Sequence, residues 1–237
     1  MNLLNPVLSL LFPEFCSICG AVADEYSNGA ICAVCWFETE VFDPRAACCP
    51  KCGRLHPKAP TNIKSLCTQC ADLHFDKARS CGRYGGALAE LILKAKHKPH
   101  YPAKIYDLLA EAYLSGTLDP SDIIIPIPLS KRRFFERGFN QAELLAENLA
   151  KRIGLPVDSG SLIRKRHVTK SRAVLDAKGR ESSVRGAFAV RRVNLIVEQR
   201  ILLLDDVFTS GATVSTAAKA LKRAGAASVN VLTIARA

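Results

Sequence analysis

Ile201-Leu202-Leu203-Leu204-Asp205-Asp206-Val207-Phe208-Thr209-Ser210-Gly211-Ala212-Thr213 is the stretch that decides the fold. Four successive apolar residues suit a parallel strand covered on both faces, where alternation is unnecessary because neither face meets water. The strand runs into two carboxylates and then a small, hydroxyl-rich turn. After the turn, Val214, Ala217, Ala218, Leu221 and Ala224 recur at helical spacing, and Gly225 is placed to end that helix. Thr209 to Thr213 therefore cap a helix N-terminus, which offers free backbone N–H groups, the positive end of the helix dipole and three hydroxyls. Gly211 permits close backbone approach, so the turn is expected to cradle a phosphate. Asp205 and Asp206, just upstream, can accept hydrogen bonds from a diol attached to that phosphate. The implied ligand is a sugar 5-phosphate.

The order of strand, Asp-Asp, small hydroxylated turn and helix resembles the phosphoribosyl-pyrophosphate (PRPP) motif of the type I phosphoribosyltransferases. That resemblance makes Asp205 and Asp206 the candidate catalytic pair and Thr209, Ser210, Gly211, Ala212 and Thr213 the rest of the PRPP-binding loop. The chain contains neither the G-x-G-x-x-G nor the G-x-x-x-x-G-K-[ST] nucleotide motif.

Upstream, eight of the ten cysteines form four C-x-x-C pairs: Cys16/Cys19, Cys32/Cys35, Cys49/Cys52 and Cys67/Cys70. No secretory signal precedes them, so persistent disulfides are not expected, whereas such pairs hold Zn²⁺ well. The first and third pairs each end in glycine (Gly20, Gly53) and the others do not, an internal repeat that favours two sequential sites over a cross-braced pairing. One ion would take Cys16, Cys19, Cys32 and Cys35, the other Cys49, Cys52, Cys67 and Cys70. Four thiolates leave no open position, so both sites read as structural. The region from 14 to 78 is poor in apolar runs and should need the metal to fold, each site contributing about 10–16 kcal/mol. Cys48 is taken as a neighbour of the second site and Cys81 as a buried thiol.

With 237 residues, 49% of them hydrophobic, the chain has room for one good core and a smaller module. The apolar run from Leu3 to Phe12 is shorter than a membrane span, is broken by Pro6 and has no basic residue before it, so no signal peptide and no membrane insertion are expected. Beyond Cys81 the composition becomes α/β. Helical spacing covers Leu88 to Lys96 and Ala103 to Tyr113; Gly116 and Pro120 close the second helix. Asp122 opens a strand over Ile123 to Pro128, whose prolines fit an edge or a strand end. Ser130-Lys131-Arg132-Arg133 follows as a candidate pyrophosphate seat. Asn140 reads as the N-cap of a helix that ends at Gly154.

Pro126-Ile127-Pro128-Leu129, Arg133 and Arg137-Gly138-Phe139-Asn140-Gln141-Ala142-Glu143-Leu144-Leu145-Ala146 are similar to the signature of the ComF/GntX family. The paired zinc knuckles and Tyr84-Gly85-Gly86 before a helix extend the resemblance over nearly the whole chain. It implies a double zinc ribbon over 1–80 and a type I phosphoribosyltransferase-like domain over 81–237, an α/β fold with a mostly parallel sheet flanked by helices. It also implies a cytoplasmic protein that binds PRPP with Mg²⁺ and has a role in DNA uptake or handling during natural transformation. Single-stranded DNA and DNA-uptake or recombination proteins would then be partners. The acceptor of any transferred ribosyl group is not indicated. A non-catalytic DNA-handling adaptor and a PRPP-sensing regulator are the alternatives, and no DNA-reading module supports the regulator.

A lid is expected at about 161–189, with Arg172 and Arg180 as its candidate ligand contacts. There the family pattern usually has Gln before the leucine and Asn ahead of Gly-Ala-Phe; this chain has Arg172 before Ala173-Val174-Leu175 and Ser183 before Val184-Arg185-Gly186-Ala187-Phe188, while Arg180 is retained. Between Lys131 and Arg200 stand seventeen Lys or Arg against seven Asp or Glu, so this segment holds nearly all of the chain's net charge of +11. Such a surface would attract PRPP or a nucleic-acid backbone.

Overall fold

The computed structural model describes residues 14–23, 28–55, 67–165 and 187–237. Four strands, β1 (Lys77–Arg83), β2 (Ile123–Pro126), β5 (Arg200–Phe208) and β6 (Ser228–Arg236), form one sheet in the order β1-β6-β5-β2, and every pairing in it is parallel. A short antiparallel pair, β3 (Leu162–Arg164) with β4 (Phe188–Val190), stands apart. The helices are α1 (Ala33–Phe37), α2 (Gly86–Lys94), α3 (Ala103–Leu114), α4 (Lys131–Arg137), α5 (Gln141–Ile153) and α6 (Ala212–Arg223). The fold is the expected one, a parallel α/β sheet behind a double zinc ribbon.

The pleat explains the unbroken apolar run on β5. Leu202 and Leu204 enter one core with α2, α3 and α5, while Ile201 and Leu203 enter a second core with α6. All four residues are fully buried. β6 divides in the same way, Leu232 and Ile234 on one side and Val229 and Val231 on the other. Both faces of the central strands are thus dry, as period-2 geometry requires of a covered parallel sheet.

The two ribbons straddle this sheet. Cys16, Cys32, Cys35 and Trp36 belong to the first core, whereas Cys49, Cys52 and Cys70 belong to the second. The connection between them runs antiparallel along the free edge of β1: Phe42 N donates to Cys81 O (2.8 Å), Arg83 N to Glu40 O (2.9 Å), and Val41 bridges Gly82. An edge that could template foreign pairing is covered in this way. Thr39 Oγ1 accepts from Ala87 N at 2.9 Å, so a ribbon residue caps α2.

Three elements differ from the sequence expectation. β5 continues through both aspartates to Phe208, so the acids lie within the last turns of the strand rather than after it. Ser130 to Arg133, expected as a pyrophosphate seat directly after the strand, open α4, whose N-cap Ser130 accepts from Arg133 N and whose end is the left-handed Gly138 (φ 79°). The flanks of the expected lid are strands, β3 and β4; Arg172, Arg180 and Ser183 lie outside the described residues. The helix after Asn140 forms as expected, with the Asn140 side chain accepting from Ala142 N and Gly154 in the left-handed region. Among the described residues no helix is long and apolar enough to cross a membrane.

Candidate active site and metal centres

The eight paired cysteines gather in sequential fours. The sulfurs of Cys16, Cys19, Cys32 and Cys35 lie within 4.8 Å of one another, and so do those of Cys49, Cys52, Cys67 and Cys70. Four Zn–S bonds of about 2.3 Å in a tetrahedron place sulfurs about 3.8 Å apart. The Cys19–Cys32 and Cys49–Cys70 pairs stand at 3.6 Å and Cys52–Cys67 at 3.5 Å, so the thiols present fit a Zn²⁺ ion at each site. Burial raises Cys16 and Cys49, but backbone N–H donors from neighbours across each knuckle outweigh it and hold both near about 6. A thiolate is therefore ready for the metal at physiological pH. Cys48 and Cys81 belong to neither group. They line a separate cavity of about 360 Å³ between the inter-ribbon connection, β1 and α3, where burial pushes the Cys81 thiol up.

A cleft of about 490 Å³ opens at the carboxyl ends of β5 and β2. Its floor carries Asp205 and Asp206 of β5, Val207, and Thr209 and Thr213 at the start of α6. Gly211 is the N-cap of α6 with φ 78°, a conformation open to glycine, and a Cβ there would come within 2.7 Å of Phe208 Cζ. The first N–H groups of α6 have no helical partner and point to this end of the helix. Ser210, also at this turn, is exposed, and its Oγ accepts from Ala212 N at 3.4 Å.

The walls are cationic. Arg133 and Arg137 come from α4, Arg164 from the end of β3 and Lys96 from the turn after α2. Burial and the adjacent Asp206 charge push the Asp205 carboxyl up to about 8, even though Asp205 Oδ1 accepts from Asp206 N at 2.9 Å and Arg164 draws it down. Burial and the Arg133 charge lower Arg164 in turn. The site thus holds a carboxylate and guanidinium groups that are incompletely solvated, an arrangement suited to a ligand carrying both hydroxyl donors and anionic groups.

Of the four residues expected to seat pyrophosphate, Arg133 lines the cleft. Ser130 caps α4, Lys131 is exposed on it, and Arg132 pairs with Glu136 at 2.7 Å. The basic segment also divides: Arg152 pairs with Asp107, Arg192 with Asp158 and Arg200 with Asp122, so these charges are spent in ion pairs elsewhere while Arg133, Arg137 and Arg164 converge on the cleft. Tyr84, Lys96, Asn140 and Gln141 also line it; the sequence marks Asn140 as a helix cap but gives none of the four a place at the ligand. Asn140 Nδ2 donates to Ile127 O (3.0 Å) and Gln141 Nε2 to Ala95 O (3.3 Å), which pins the start of α5 to the loop after β2 and to the end of α2. The signature Arg137 to Gln141 was visible as a string, and its convergence with Tyr84 and Lys96 requires the tertiary fold.

Residues 7–83 match the double zinc ribbon domain. The chain is 32% identical over 238 residues to the DNA utilization protein YhgH of Salmonella typhimurium, an alignment covering 96% of this chain and 99% of the relative. It is 30% identical over 170 residues to competence protein F of Haemophilus influenzae, covering 69% of this chain and 74% of the relative. The chain belongs to the ComF family. Among solved structures, this ComF-family chain is similar to a glutamine PRPP amidotransferase from B. subtilis, with 22% identity, a TM-score of 0.38 and 54% of the chain covered. It spans a quarter (25%) of that larger protein.

Proposed function

We propose that the cleft binds PRPP and that the protein is a phosphoribosyltransferase-like enzyme with an acceptor still to be identified. The observation that carries this is one cavity in which a glycine-capped helix N-terminus, two adjacent carboxylates and three arginines meet. In this reading Thr209 to Thr213 hold the 5-phosphate through backbone N–H groups and hydroxyls. Asp205 and Asp206 accept from the ribose diol, and Arg133, with Arg137 and Arg164, faces the pyrophosphate. Mg²⁺ would enter with the pyrophosphate and neutralise part of its charge. Transfer breaks the bond from the anomeric carbon to the pyrophosphate oxygen, whose electron pair leaves with pyrophosphate. The carboxylates on the floor are placed to favour the cationic sugar that results. The division into a ribbon module over 1–80 and a catalytic domain over 81–237 is part of the same proposal, although β1 already starts at Lys77. A cytoplasmic setting agrees with eight thiols grouped for metal rather than for disulfides.

Calorimetry with PRPP and Mg²⁺ tests the reading. PRPP should bind, ribose 5-phosphate should compete more weakly for want of the pyrophosphate contacts, and no heat at millimolar PRPP refutes it. Pyrophosphate release screened against nucleobases, small amines and single-stranded DNA then separates turnover from binding alone. A second reading, a DNA-handling adaptor, is favoured by the relatives' names and by α4, which buries none of its residues and exposes Phe134 and Phe135 among Lys131, Arg132 and Arg133. PRPP binding with no pyrophosphate release for any acceptor would favour it.

A further inference from the structure

Arg236, at the end of β6, touches both the second metal site and the support of the phosphate loop. Its Nη1 donates to Cys52 O at 2.6 Å, and its Nη2 reaches Cys52 Sγ at 3.8 Å. The Cζ of the same guanidinium lies over the Phe208 ring, 4.5 Å from its centre. Phe208 is the last residue of β5, is 2% exposed, and meets Phe75 edge-on at 5.8 Å. Its ring fills the space beneath Gly211, the cap of α6. The planar fork of arginine suits this double contact, with hydrogen bonds along its edge and an aromatic ring on its face.

A second strand of contacts runs the same way. Leu73 N donates to Cys70 O at 3.2 Å, and the Leu73 side chain is the next neighbour a Cβ on Gly211 would meet, at 3.0 Å. His74 N then donates to the buried Ser215 Oγ in the first turn of α6 at 3.0 Å. The second tetrathiolate site therefore reaches the α6 N-terminus from two directions. Among the described residues the first site shows no such connection; it packs with Trp36 and Leu91 in the core on the opposite face of the sheet. A zinc ion held by four thiolates carries net negative charge, so Arg236 both answers that charge and hands the position of Cys52 to Phe208.

We propose that Arg236 is a positioning residue that keeps the loop Thr209–Thr213 in register with the second metal site, so that order in the loop depends on that site being filled. The consequence for ligand affinity rests on the reading of this loop as a phosphate cradle; the coupling itself does not. Filling the site holds Cys52 and Cys70, these hold Arg236 and Leu73, and the two side chains fix the floor on which Gly211 turns. A loop set in advance binds phosphate without a further ordering cost.

The test is hydrogen exchange of the full-length, zinc-loaded protein with no ligand, followed across amides 209–215. Arg236→Ala should retain two zinc ions by metal analysis yet exchange at least about tenfold faster over these amides, the lower limit set by the loss of one charged hydrogen bond and one cation–π contact. Arg236→Lys, which keeps the charge over the ring, should recover part of the protection. Cys52→Ser should speed the same amides, whereas Cys19→Ser, at the first site, should leave them as in wild type. Equal exchange in wild type and Arg236→Ala, or equal response to the two cysteine variants, overturns the proposal. PRPP calorimetry reports separately on the cradle: if the exchange results are as expected but PRPP does not bind, the coupling stands and the functional reading fails.

Discussion

Replacing Asp205 by Asn separates the two things this residue does. In the ligand-free protein its carboxyl is pushed up to about 8 from the usual 3.8 by burial and by the neighbouring Asp206 charge. A carboxyl whose folded pKa exceeds its unfolded value binds its proton more tightly in the native state. Stability is then greatest below the unfolded pKa and falls as pH rises towards the folded one. The slope is at most about 1.4 kcal/mol per pH unit for one proton, so between pH 5 and pH 7 wild type should lose up to about 2–3 kcal/mol, or about 5–10 °C in Tm. Asp205→Asn removes the titrating group, and its Tm should stay nearly flat over that range and exceed that of wild type at pH 7. Above pH 8, where the Asp205 carboxyl is ionised, the same variant should bind PRPP at least about tenfold more weakly, since a charge-assisted hydrogen bond to the diol contributes about 1.5–3 kcal/mol. Differential scanning fluorimetry from pH 5 to pH 7.5, paired with calorimetry, measures both. Parallel Tm profiles for wild type and variant would show that Asp205 is not the buried group that titrates; undiminished PRPP affinity would remove it from the ligand site.

The remaining expectations are independent of this one. Protein purified without chelator should hold two zinc ions per chain, and Cys16→Ser or Cys67→Ser should unfold its own ribbon, seen as protease sensitivity within 14–78; one ion per chain would refute the two-site form. Gly211→Ala meets both the left-handed backbone and the Phe208 ring, so it should cost about 1–3 kcal/mol in stability and weaken phosphate binding; a neutral outcome by urea denaturation and calorimetry would count against a tight loop. Single-stranded DNA should bind with steep salt dependence, and replacing Arg164, Lys165 and Arg166 by Ala should lower the slope of log affinity against log salt by about 0.7 per lost contact. Identical slopes would place the DNA surface elsewhere.

What could be read from the chain follows from how locally each feature is encoded. The run Ile201 to Leu204 announces a strand dry on both faces, and Gly211 with its hydroxylated neighbours announces the cap, because both depend on residues a few positions apart. The thiol knuckles are legible for the same reason. Helix α4 escaped notice because it buries none of its residues, so no apolar periodicity marks it; Ser130 and Gly138 at its ends are the only signal. Tyr84, Lys96 and Gln141 reach the cleft from three separate elements, a meeting that only the packing of α2 and α5 onto the sheet brings about. The distribution of the basic residues was hidden too, since ion pairing of Arg152, Arg192 and Arg200 depends on acids far away in the chain.

The arrangement of the ribbons about β1 has a kinetic consequence. Within a ribbon the thiols that meet are near in sequence, as for Cys19 and Cys32, 13 positions apart. β1 itself waits for β6, and the Ser80–Thr233 hydrogen bond across that pairing joins residues 153 positions apart. Short loops close many orders of magnitude faster than a parallel pairing of such separation is completed. Metal capture by the knuckles is thus expected first, setting the segment from Glu40 to Phe42 beside β1 before β6 pairs, an order that pulse-labelled hydrogen exchange during refolding would read. The ribbons give β1 a lasting partner on its outer edge before its inner neighbour arrives, so that early in folding only the edge awaiting β6 is open to other chains.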